Sequence, residues 1–520
     1  MIKISRLIIY WIRRLPWKFT IPLLVLLAAW LFLVAFVFQK FQVSEITDVV
    51  AKIIGIQLPD KQDIGGFTYH KVLIRVVFES LVALVIIFFA ILTSYNLAAV
   101  FYRLIRSHPP RKVHVHPPAS PEPGTGNIFE KFMDRNEIKD LKIGLVLAGG
   151  GAKGAYQAGA MKGIYEFLEQ NNVLDKVRMI SGTSIGSWNS MFWLAGLIKP
   201  PEDSNLSAHE QWWRNISADR IMEFDTYMPL KRNYFLSTKP WQEAFDEIFH
   251  KEEAVSETLN RLFASEDYNP PMHFYLTRSN VELGLLEFAT NNTALADKKR
   301  LNWRSKTEEP VIPSDQYESI DSAVESPLDR LKLAVFASMD LPPLFPYMNI
   351  RTDRGEWFED GGVVDNLPMR FGTEIEECNL LFVLPLNASF AEQVNHESVI
   401  KRLFRVMDIR QGVLEHNSIK LARLYNDKIR LRNQNSRQDN TSGNREKKPL
   451  LSVFAICPDQ PLAIGTAEFW KPAEAGAAFD LMYSATRTAL NDSFLDLSDP
   501  NDLRMTLVGP QGRTTILDDF

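Results

Sequence analysis

The first hundred residues carry two long apolar runs that lack charged side chains. The first run extends from Ile21 to Phe38 and the second from Ser80 to Phe101. Each is long enough to cross a bilayer as a helix. The first run is not followed by the small-residue cleavage site of a secretory signal peptide. The pattern therefore predicts two transmembrane helices, at about residues 21–38 and 80–101.

Lysine and arginine lie mainly on the outer sides of these two runs. Residues 1–20 and 102–112 are rich in both, whereas the longer loop 39–79 is sparser. Basic flanks stay on the cytoplasmic side of a membrane. We therefore expect a helical hairpin with both ends inside, which places the rest of the chain on the cytoplasmic face, in a bacterial cell at the inner membrane.

A proline-rich stretch from His108 to Asn127 separates this hairpin from the rest of the chain. Such a stretch continues neither a helix nor a central strand. The expected organisation is a membrane anchor at 1–106, a linker at 107–138 and one large folded domain at 139–520. The domain would have a core at 142–386 and a C-terminal extension at 387–520.

Beyond the linker, short apolar runs alternate with helical patterns. The runs Ile143–Ala148, Val177–Ile180, Leu380–Leu386 and Leu450–Cys457 read as buried strands, and the amphipathic patterns Glu397–Asp427 and Lys471–Asn491 read as helices. Core packing would account for the apolar positions of these helices. The alternation predicts an α/β sandwich with a largely parallel central sheet.

Two of the predicted strands run into glycine corners that open helices. The first corner is Gly149-Gly150-Gly151, followed by a helical pattern near Lys153. Backbone amides at such a corner can bind an anion. The second corner, Gly182-Thr183-Ser184-Ile185-Gly186, has the G-x-S-x-G spacing of a nucleophile elbow, which exposes a serine hydroxyl at the N-terminus of a helix.

The first corner is also compatible with a different function. Gly149, Gly151 and Gly154 have the spacing of a dinucleotide-binding fingerprint, and Asp175 stands about where a ribose-binding acid would be sought. A carboxylate on a glycine turn, Asp360-Gly361-Gly362, occurs far downstream. An acyl hydrolase that uses a serine and an aspartate needs such a carboxylate, which favours the hydrolase.

These motifs together resemble the patatin-like phospholipase family. The family carries a G-G-G-x-[KR]-G oxyanion loop, a G-x-S-x-G elbow and an Asp-Gly-Gly turn, which correspond in order to 149–154, 182–186 and 360–362. The stretches Ala337–Pro342 and Asn366-Leu367-Pro368 also resemble the family, and the likeness covers roughly Lys142 to Leu386. Ala148 is a departure, because many members carry Asp before the glycines.

The resemblance implies a three-layer α/β/α sandwich and a hydrolase that cleaves fatty acyl esters of membrane lipids. Ser184 would be the nucleophile and Asp360 the general base, with the oxyanion held by the amides of Gly149, Gly150 and Gly151. Supporting positions in the motifs are Lys153, Gly154, Gly182, Gly186, Gly361 and Gly362. Lys153 would hold the oxyanion loop or meet a phosphate, although an ordinary surface lysine fits equally well.

Other functions remain open. A Ser-Asp-His esterase would use His396 or His416, which both follow Asp360, although neither stands in a loop after a strand. A dinucleotide-binding protein and a non-catalytic membrane scaffold are further alternatives.

The composition excludes some classes of partner. The chain has a net charge of −5 and therefore lacks the excess of basic residues that nucleic-acid binding requires. The two cysteines fit neither a metal site nor a disulfide framework. We expect no metal and no organic cofactor, and a lipid substrate and a bilayer as partners; the sequence leaves the oligomeric state open.

Overall fold

The computed structural model describes residues 128–202, 204–224, 234–263, 272–301, 307–351, 355–387, 399–438, 447–459, 462–503, 505–508 and 514–517. These residues belong to the compact unit His114–Phe520. The two predicted transmembrane segments, 21–38 and 80–101, lie outside them. Within these ranges, no helix is both long and apolar enough to span a bilayer. The anchor at 1–106 stays a prediction.

The described chain contains fifteen strands, which we number in chain order: β1 (Ile143–Leu147), β2 (Val177–Thr183), β3 (Glu223–Phe224), β4 (Leu236–Ser237), β5 (His273–Asn280), β6 (Leu285–Thr290), β7 (Lys299–Leu301), β8 (Glu308–Pro310), β9 (Tyr317–Ser319), β10 (Met348–Arg351), β11 (Glu356–Asp360), β12 (Leu380–Leu384), β13 (Ser452–Pro458), β14 (Met505–Val508) and β15 (Thr514–Leu517). Eleven of them form one sheet in the order β10-β11-β5-β2-β1-β12-β13-β14-β15, with β6 paired to β5 and β9 to β6. Two further pairs, β3 with β4 and β7 with β8, stand apart.

The centre of this sheet is parallel. Strands β5, β2, β1, β12, β13 and β14 run in the same direction. β1 and β12 are buried along their whole length, which explains why the sequence shows them as unbroken apolar runs. Antiparallel pairs occur toward the two ends, between β5, β6, β11 and β10 and between β14 and β15. The predicted mixed α/β fold with a largely parallel central sheet is confirmed.

Ten α-helices accompany the sheet in the described chain: α1 (Ile128–Arg135), α2 (Gly154–Gln170), α3 (Ile185–Leu194), α4 (Ala208–Arg214), α5 (Ala218–Ile221), α6 (Lys239–Phe245), α7 (Glu253–Arg261), α8 (Pro327–Met339), α9 (Val399–Gln438) and α10 (Pro472–Leu497). Side chains alternate along each strand. Leu145 and Phe382 therefore join one core cluster, together with residues of α2 and α10, while Val146 and Val383 join a second, to which α9 contributes Ile419.

Helix α1 occupies the end of the segment that we assigned to the linker. Phe129 and Phe132 are buried, and their rings lie 5.0 and 5.4 Å from that of Phe494. Aromatic pairs at these separations stabilise a core beyond the area that they bury. Residues 128–138 are therefore part of the folded domain, because their apolar side chains complete the packing against α2 and α10.

Helix α9 corrects a second expectation. It is longer than the predicted helix, and Ile419, Ala422 and Ile429 are buried as core packing requires. However, several other apolar side chains of α9 lie on its solvent side, among them Val413 and Leu424, which are 55% and 63% exposed. Core packing therefore explains only one face of this helix.

Candidate active site

Ser184 stands at the turn between β2 and α3 with φ 54° and ψ −124°. A non-glycine residue at positive φ costs conformational energy and is found where the surrounding structure imposes it, often at functional sites. Here the Ser184 amide donates to Ser338 Oγ at 2.9 Å. The hydroxyl of Ser187 bridges Ser338 Oγ at 2.7 Å and the Gly182 carbonyl at 2.9 Å. These bonds fix the predicted elbow.

Glycine at position 182 is required by the close approach of two backbones. A Cβ there would lie 2.6 Å from the backbone of Gly186. The first turn of α3 can therefore fold directly onto the end of β2. Ser184 is only 8% exposed, so a substrate would reach it in a largely water-excluded setting.

Asp360 is brought toward Ser184 by strand register. β5 runs parallel to β2 and pairs Thr277 with Thr183, while β11 runs antiparallel to β5 and pairs Asp360 with Arg278. The backbone of Asp360 is held from both sides: its amide donates to the Asp340 carbonyl at 3.0 Å, and its carbonyl accepts from Ser279 Oγ at 2.9 Å. The position of this aspartate is therefore set by the central sheet.

The environment of Asp360 suits a base that works near neutral pH. Burial raises the pKa of its carboxyl from 3.8 to about 7, while hydrogen bonding to Ser184 and to the Gly362 amide lowers it in part and the charge of Glu359 raises it further. The Gly362 amide donates to Oδ1 at 2.7 Å, whereas Oδ2 is buried and has no partner with good hydrogen-bond geometry in the described chain. A carboxylate with one occupied and one available oxygen can accept a proton.

A second buried acid, Asp340, lies beside this carboxylate. Burial and the charge of Asp360 raise the pKa of the Asp340 carboxyl well above its usual range. Within the described ranges, neither Oδ1 nor Oδ2 of Asp340 finds a hydrogen-bond partner. Two neighbouring acids do not ionise together easily, so ionisation of Asp360 favours the neutral form of Asp340.

The first glycine corner lies against the elbow. A Cβ on Gly149 would stand 3.0 Å from Ser184 Cβ. The Gly149 amide already donates to the Asn366 carbonyl at 3.3 Å, but the amides of Gly150 and Gly151 have no acceptor among the residues that the structure describes. Of the three predicted oxyanion donors, Gly150 and Gly151 therefore remain available.

The geometry of this corner depends on Gly151. Its φ is +57°, and a side chain there would collide with the Thr466 carbonyl, which accepts from the Ala152 amide at 2.8 Å. Glycine adopts this conformation without strain. The chain can therefore turn sharply out of β1, and the amides of Gly150 and Gly151 stay without an acceptor in the described chain.

Buried polar side chains hold the first glycine corner in place through hydrogen bonds. Asn366 Nδ2 donates to the Gly149 carbonyl at 3.2 Å and to Glu415 Oε1 at 2.6 Å. Glu415, on α9, also accepts from Asn387 Nδ2 at 2.8 Å. Burial raises the pKa of the Glu415 carboxyl to about 7, and bonding to Asn387 and Asn366 and the charge of Lys153 lower it in part.

Lys153 belongs to the same support. Its Nζ donates to Asp408 Oδ1 at 2.8 Å and to Asn387 Oδ1 at 3.0 Å, and the residue is 8% exposed. Asp408 Oδ1 also accepts from Thr466 Oγ1 at 2.9 Å. Lys153 is therefore not a surface lysine, because its ammonium binds Asp408 on α9 and Asn387 and so holds the glycine corner in place.

The features that suggested other functions do not converge on the site. Asp175 precedes β2 and is largely exposed beside Lys176, so it lies at the opposite edge of the sheet from the glycine loop that follows β1. Burial has the largest effect on the pKa of Asp360, and the groups that modify it further are Ser184, Gly362 and Glu359, with no histidine among them. His416 lies on α9, and His396 lies outside the described residues. No group of three or more metal-binding side chains occurs in the described chain.

Comparison with known proteins assigns the region that carries this site. Residues 145–371 match the family described as patatin-like phospholipase. They form a patatin-like phospholipase domain. The protein is therefore an enzyme, a lipid acyl hydrolase, and the resemblance seen in the sequence is confirmed over this range.

No curated protein matches the chain. Solved structures that match include VipD from Legionella pneumophila, with 13% identity over 68% of this chain and 67% of that chain and a TM-score of 0.30. A likeness of this size supports no argument about the site.

The patatin-like domain does not contain all of the residues that hold the site in place. Ser184, Ser338, Asp360 and Asn366 lie within residues 145–371. The other residues that hold the oxyanion loop lie after it: Asn387, Asp408, Glu415 and Thr466. Sequence reasoning missed these four because they match no motif. The available signal was the position of Asp408 and Glu415 on the mostly basic amphipathic pattern Glu397–Asp427.

Proposed function

We propose that Ser184 and Asp360 act as a catalytic dyad that hydrolyses fatty acyl esters of membrane lipids. The observation that carries the proposal is an elbow serine at positive φ that lies close enough to a buried carboxylate to lower its pKa. That pKa, about 7, lets the carboxylate exist as a base near neutral pH. The two amides of Gly150 and Gly151 stand on the neighbouring corner, where negative charge would develop.

In the proposed reaction, Ser184 Oγ attacks the ester carbonyl while Asp360 takes the hydroxyl proton. The carbonyl oxygen becomes an oxyanion that the amides stabilise. The C–O bond to the leaving alcohol then breaks, and that alcohol receives the proton from Asp360. Water next attacks the acyl-serine, with Asp360 again accepting its proton and returning it to Ser184 Oγ. The products are the fatty acid and the deacylated lipid.

The proposal is tested by comparing Ser184→Ala, Asp360→Asn and the double variant on a lipid ester. Each single variant should lose nearly all turnover, and the double variant should be hardly worse, because the two groups work as a unit. The Ser-Asp-His alternative predicts instead that His416→Ala or His396→Ala removes most activity while Asp360→Asn retains a substantial part. That outcome would replace the dyad.

The membrane anchor is a separate part of the proposal, supported by the sequence of residues 1–106. A hairpin with both ends in the cytoplasm would keep the hydrolase beside the bilayer that contains its substrate. In intact cells, a cysteine placed at Gly55 should react with an impermeant thiol reagent, whereas one at Thr125 should not. Cys378 and Cys457 are buried and give little background. The reverse pattern would overturn this topology.

A further inference from the structure

The solvent side of α9 carries a row of exposed apolar side chains. Six aliphatic residues, 51–64% exposed, recur along the helix on the face opposite the core: Val406, Ile409, Val413, Leu421, Leu424 and Leu431. Isolated apolar residues on a surface need no explanation, but six on the same side of one helix are typical of an interaction surface. We call this surface the outer face of α9.

Basic side chains accompany these apolar ones. Arg402, Arg410, Lys420 and Lys428 are exposed on the same face. The helix has only three acids; Asp408 and Glu415 point to the oxyanion loop, and Asp427 pairs with Arg430 at 2.7 Å. The outer face is therefore positive, although the whole chain has a net charge of −5.

The outer face is continuous with the candidate active site. Arg410 donates to the carbonyl of Val363, in the turn that follows Asp360. The opposite side of the same helix segment supplies Asp408 and Glu415 to the support of the oxyanion loop. A surface that binds the first half of α9 would thus come to rest beside the catalytic turn.

We propose that the outer face of α9 lies on the surface of an anionic lipid bilayer and presents the site to its substrate. A helix that combines an aliphatic row with lysine and arginine binds in the plane of an anionic membrane, since its apolar side chains enter the interface and its cations meet lipid phosphates. The inference rests on the proposed function, because the ester would come from this surface.

A second copy of the chain fits the outer face less well. Apolar residues at such spacing can form a helical seam between two chains, but the seam would then be flanked by lysine and arginine on both partners, and the outer face offers few acids to pair with them. Anionic lipid complements this charge. Self-association is therefore the competing outcome that the experiment must detect.

The experiment uses the full chain reconstituted into vesicles, with one cysteine introduced at a time and labelled with an environment-sensitive fluorophore. Val413→Cys and Leu424→Cys report on the outer face. Glu257→Cys, exposed on α7 next to Leu259 in the first core cluster, is the matched control on the other side of the sheet. The native cysteines are buried, so labelling should be selective.

In vesicles containing phosphatidylglycerol, the labels at 413 and 424 should shift to shorter wavelength and be quenched by lipids with a spin label on the acyl chain. The control label should do neither. Emission at 413 and 424 identical to that of the control would overturn the proposal. So would a disulfide between two chains at Leu424→Cys with no quenching by lipid, which would assign the outer face to a second copy.

A charge variant tests the consequence for activity. Lys420→Glu with Lys428→Glu should lower hydrolysis of an ester embedded in phosphatidylglycerol vesicles about tenfold and leave hydrolysis of a dispersed short-chain ester unchanged. Lys239→Glu with Lys251→Glu, also exposed, should change neither rate. An equal rate on vesicles would contradict the proposal. Failure of the proposed function itself would look different, since both esters would then resist the unaltered protein while the fluorescence result still stood.

Discussion

The two glycine corners of the site are supported by different parts of the chain. The elbow around Ser184 is held by Ser187 and Ser338, both within the patatin-like domain. The oxyanion loop is held by Asn366 within that domain and also from beyond it, because Asp408 on α9 binds Lys153 and Glu415 on α9 binds Asn366. The proposed nucleophile is thus positioned by the residues that match the patatin-like family, whereas the proposed oxyanion loop also needs the C-terminal extension.

The largest effect that would sharpen this comparison should come from Gly151→Ala. The substitution places a side chain at φ +57° against the Thr466 carbonyl and so displaces the two amides. We expect turnover to fall roughly 10²- to 10³-fold with little change in substrate affinity, because these donors act on charge that exists only in the transition state. Steady-state kinetics on a dispersed ester would measure both.

Gly284→Ala is the matched control for this substitution. Gly284 also has a positive φ, of +64°, but no atom lies within 4 Å of the added Cβ. The control should therefore carry the backbone strain without the effect on turnover. Equal and small losses in the two variants would show that the corner does not hold the developing charge.

A smaller loss is expected from Glu415→Gln. The amide would turn a donor toward the Asn387 amide, which faces Glu415 Oε2 at 3.4 Å, and so loosen the hold on Asn366 and the loop. Misplacement of catalytic groups by about 1 Å can lower the reaction rate by up to 10²-fold. We therefore expect kcat to fall about ten- to a hundredfold and KM to change little.

Glu376→Gln provides the comparison for Glu415→Gln. Glu376 is another largely buried carboxylate with several partners, including His273 at 2.8 Å, but His273 begins β5 and so lies at the edge of the sheet opposite Ser184. This variant should lose stability and keep its kcat. If both variants lost turnover alike, support from α9 would not be specific to the oxyanion loop.

The pH dependence of kcat/KM should report on Asp360. The proposed base is its carboxylate form, so activity should rise with pH and level off above a pKa of about 7. Glu415 titrates in the same range. The rise of kcat/KM with pH should therefore persist in Glu415→Gln, at a lower maximal value. If the rise disappeared in that variant, the titrating group would be Glu415 and not Asp360.

The smallest expected effect concerns stability. Because folding raises the pKa of Asp360 from 3.8 to about 7, the neutral form contributes stability that is complete below pH 3.8 and is lost as pH rises through 7. Asp360→Asn stays neutral and should escape this loss. We expect its Tm to exceed that of the unaltered protein by a few degrees at pH 8 and by less at pH 5. A lower Tm for Asp360→Asn than for the unaltered protein at pH 8 would mean that the fold stabilises Asp360 as an anion.

The sequence predicted the elbow, the glycine loop and the Asp360 turn because each is a local motif whose residues need special backbone geometry. It also predicted the parallel sheet, since strands buried on both faces have unbroken apolar runs. It could not predict that Asp408 binds Lys153 of the oxyanion loop or that Glu415 binds Asn366, which holds that loop. Their roles depend on how α9 crosses the end of the sheet, and nothing local distinguishes them from acids on a solvated helix.

The exposed side of α9 shows the same limit. An amphipathic pattern indicates a helix with an apolar face, but it does not tell which apolar residues enter the core. Ile419 does, and Leu424 does not. Likewise, Phe129 and Phe132 stood too close to the proline-rich stretch to be recognised as core residues, because only tertiary packing against Phe494 defines them.

The central claim is that Ser184, activated by Asp360, is the nucleophile, and its most direct test is the site of covalent trapping. The full chain is treated with an alkyl fluorophosphonate, digested and analysed by tandem mass spectrometry, in parallel with loss of activity. We predict one phosphonylated residue, Ser184, modified at the rate at which activity disappears and scarcely modified in Asp360→Asn. Inactivation with Ser184 unmodified, or undiminished modification of Ser184 in Asp360→Asn, would contradict the account.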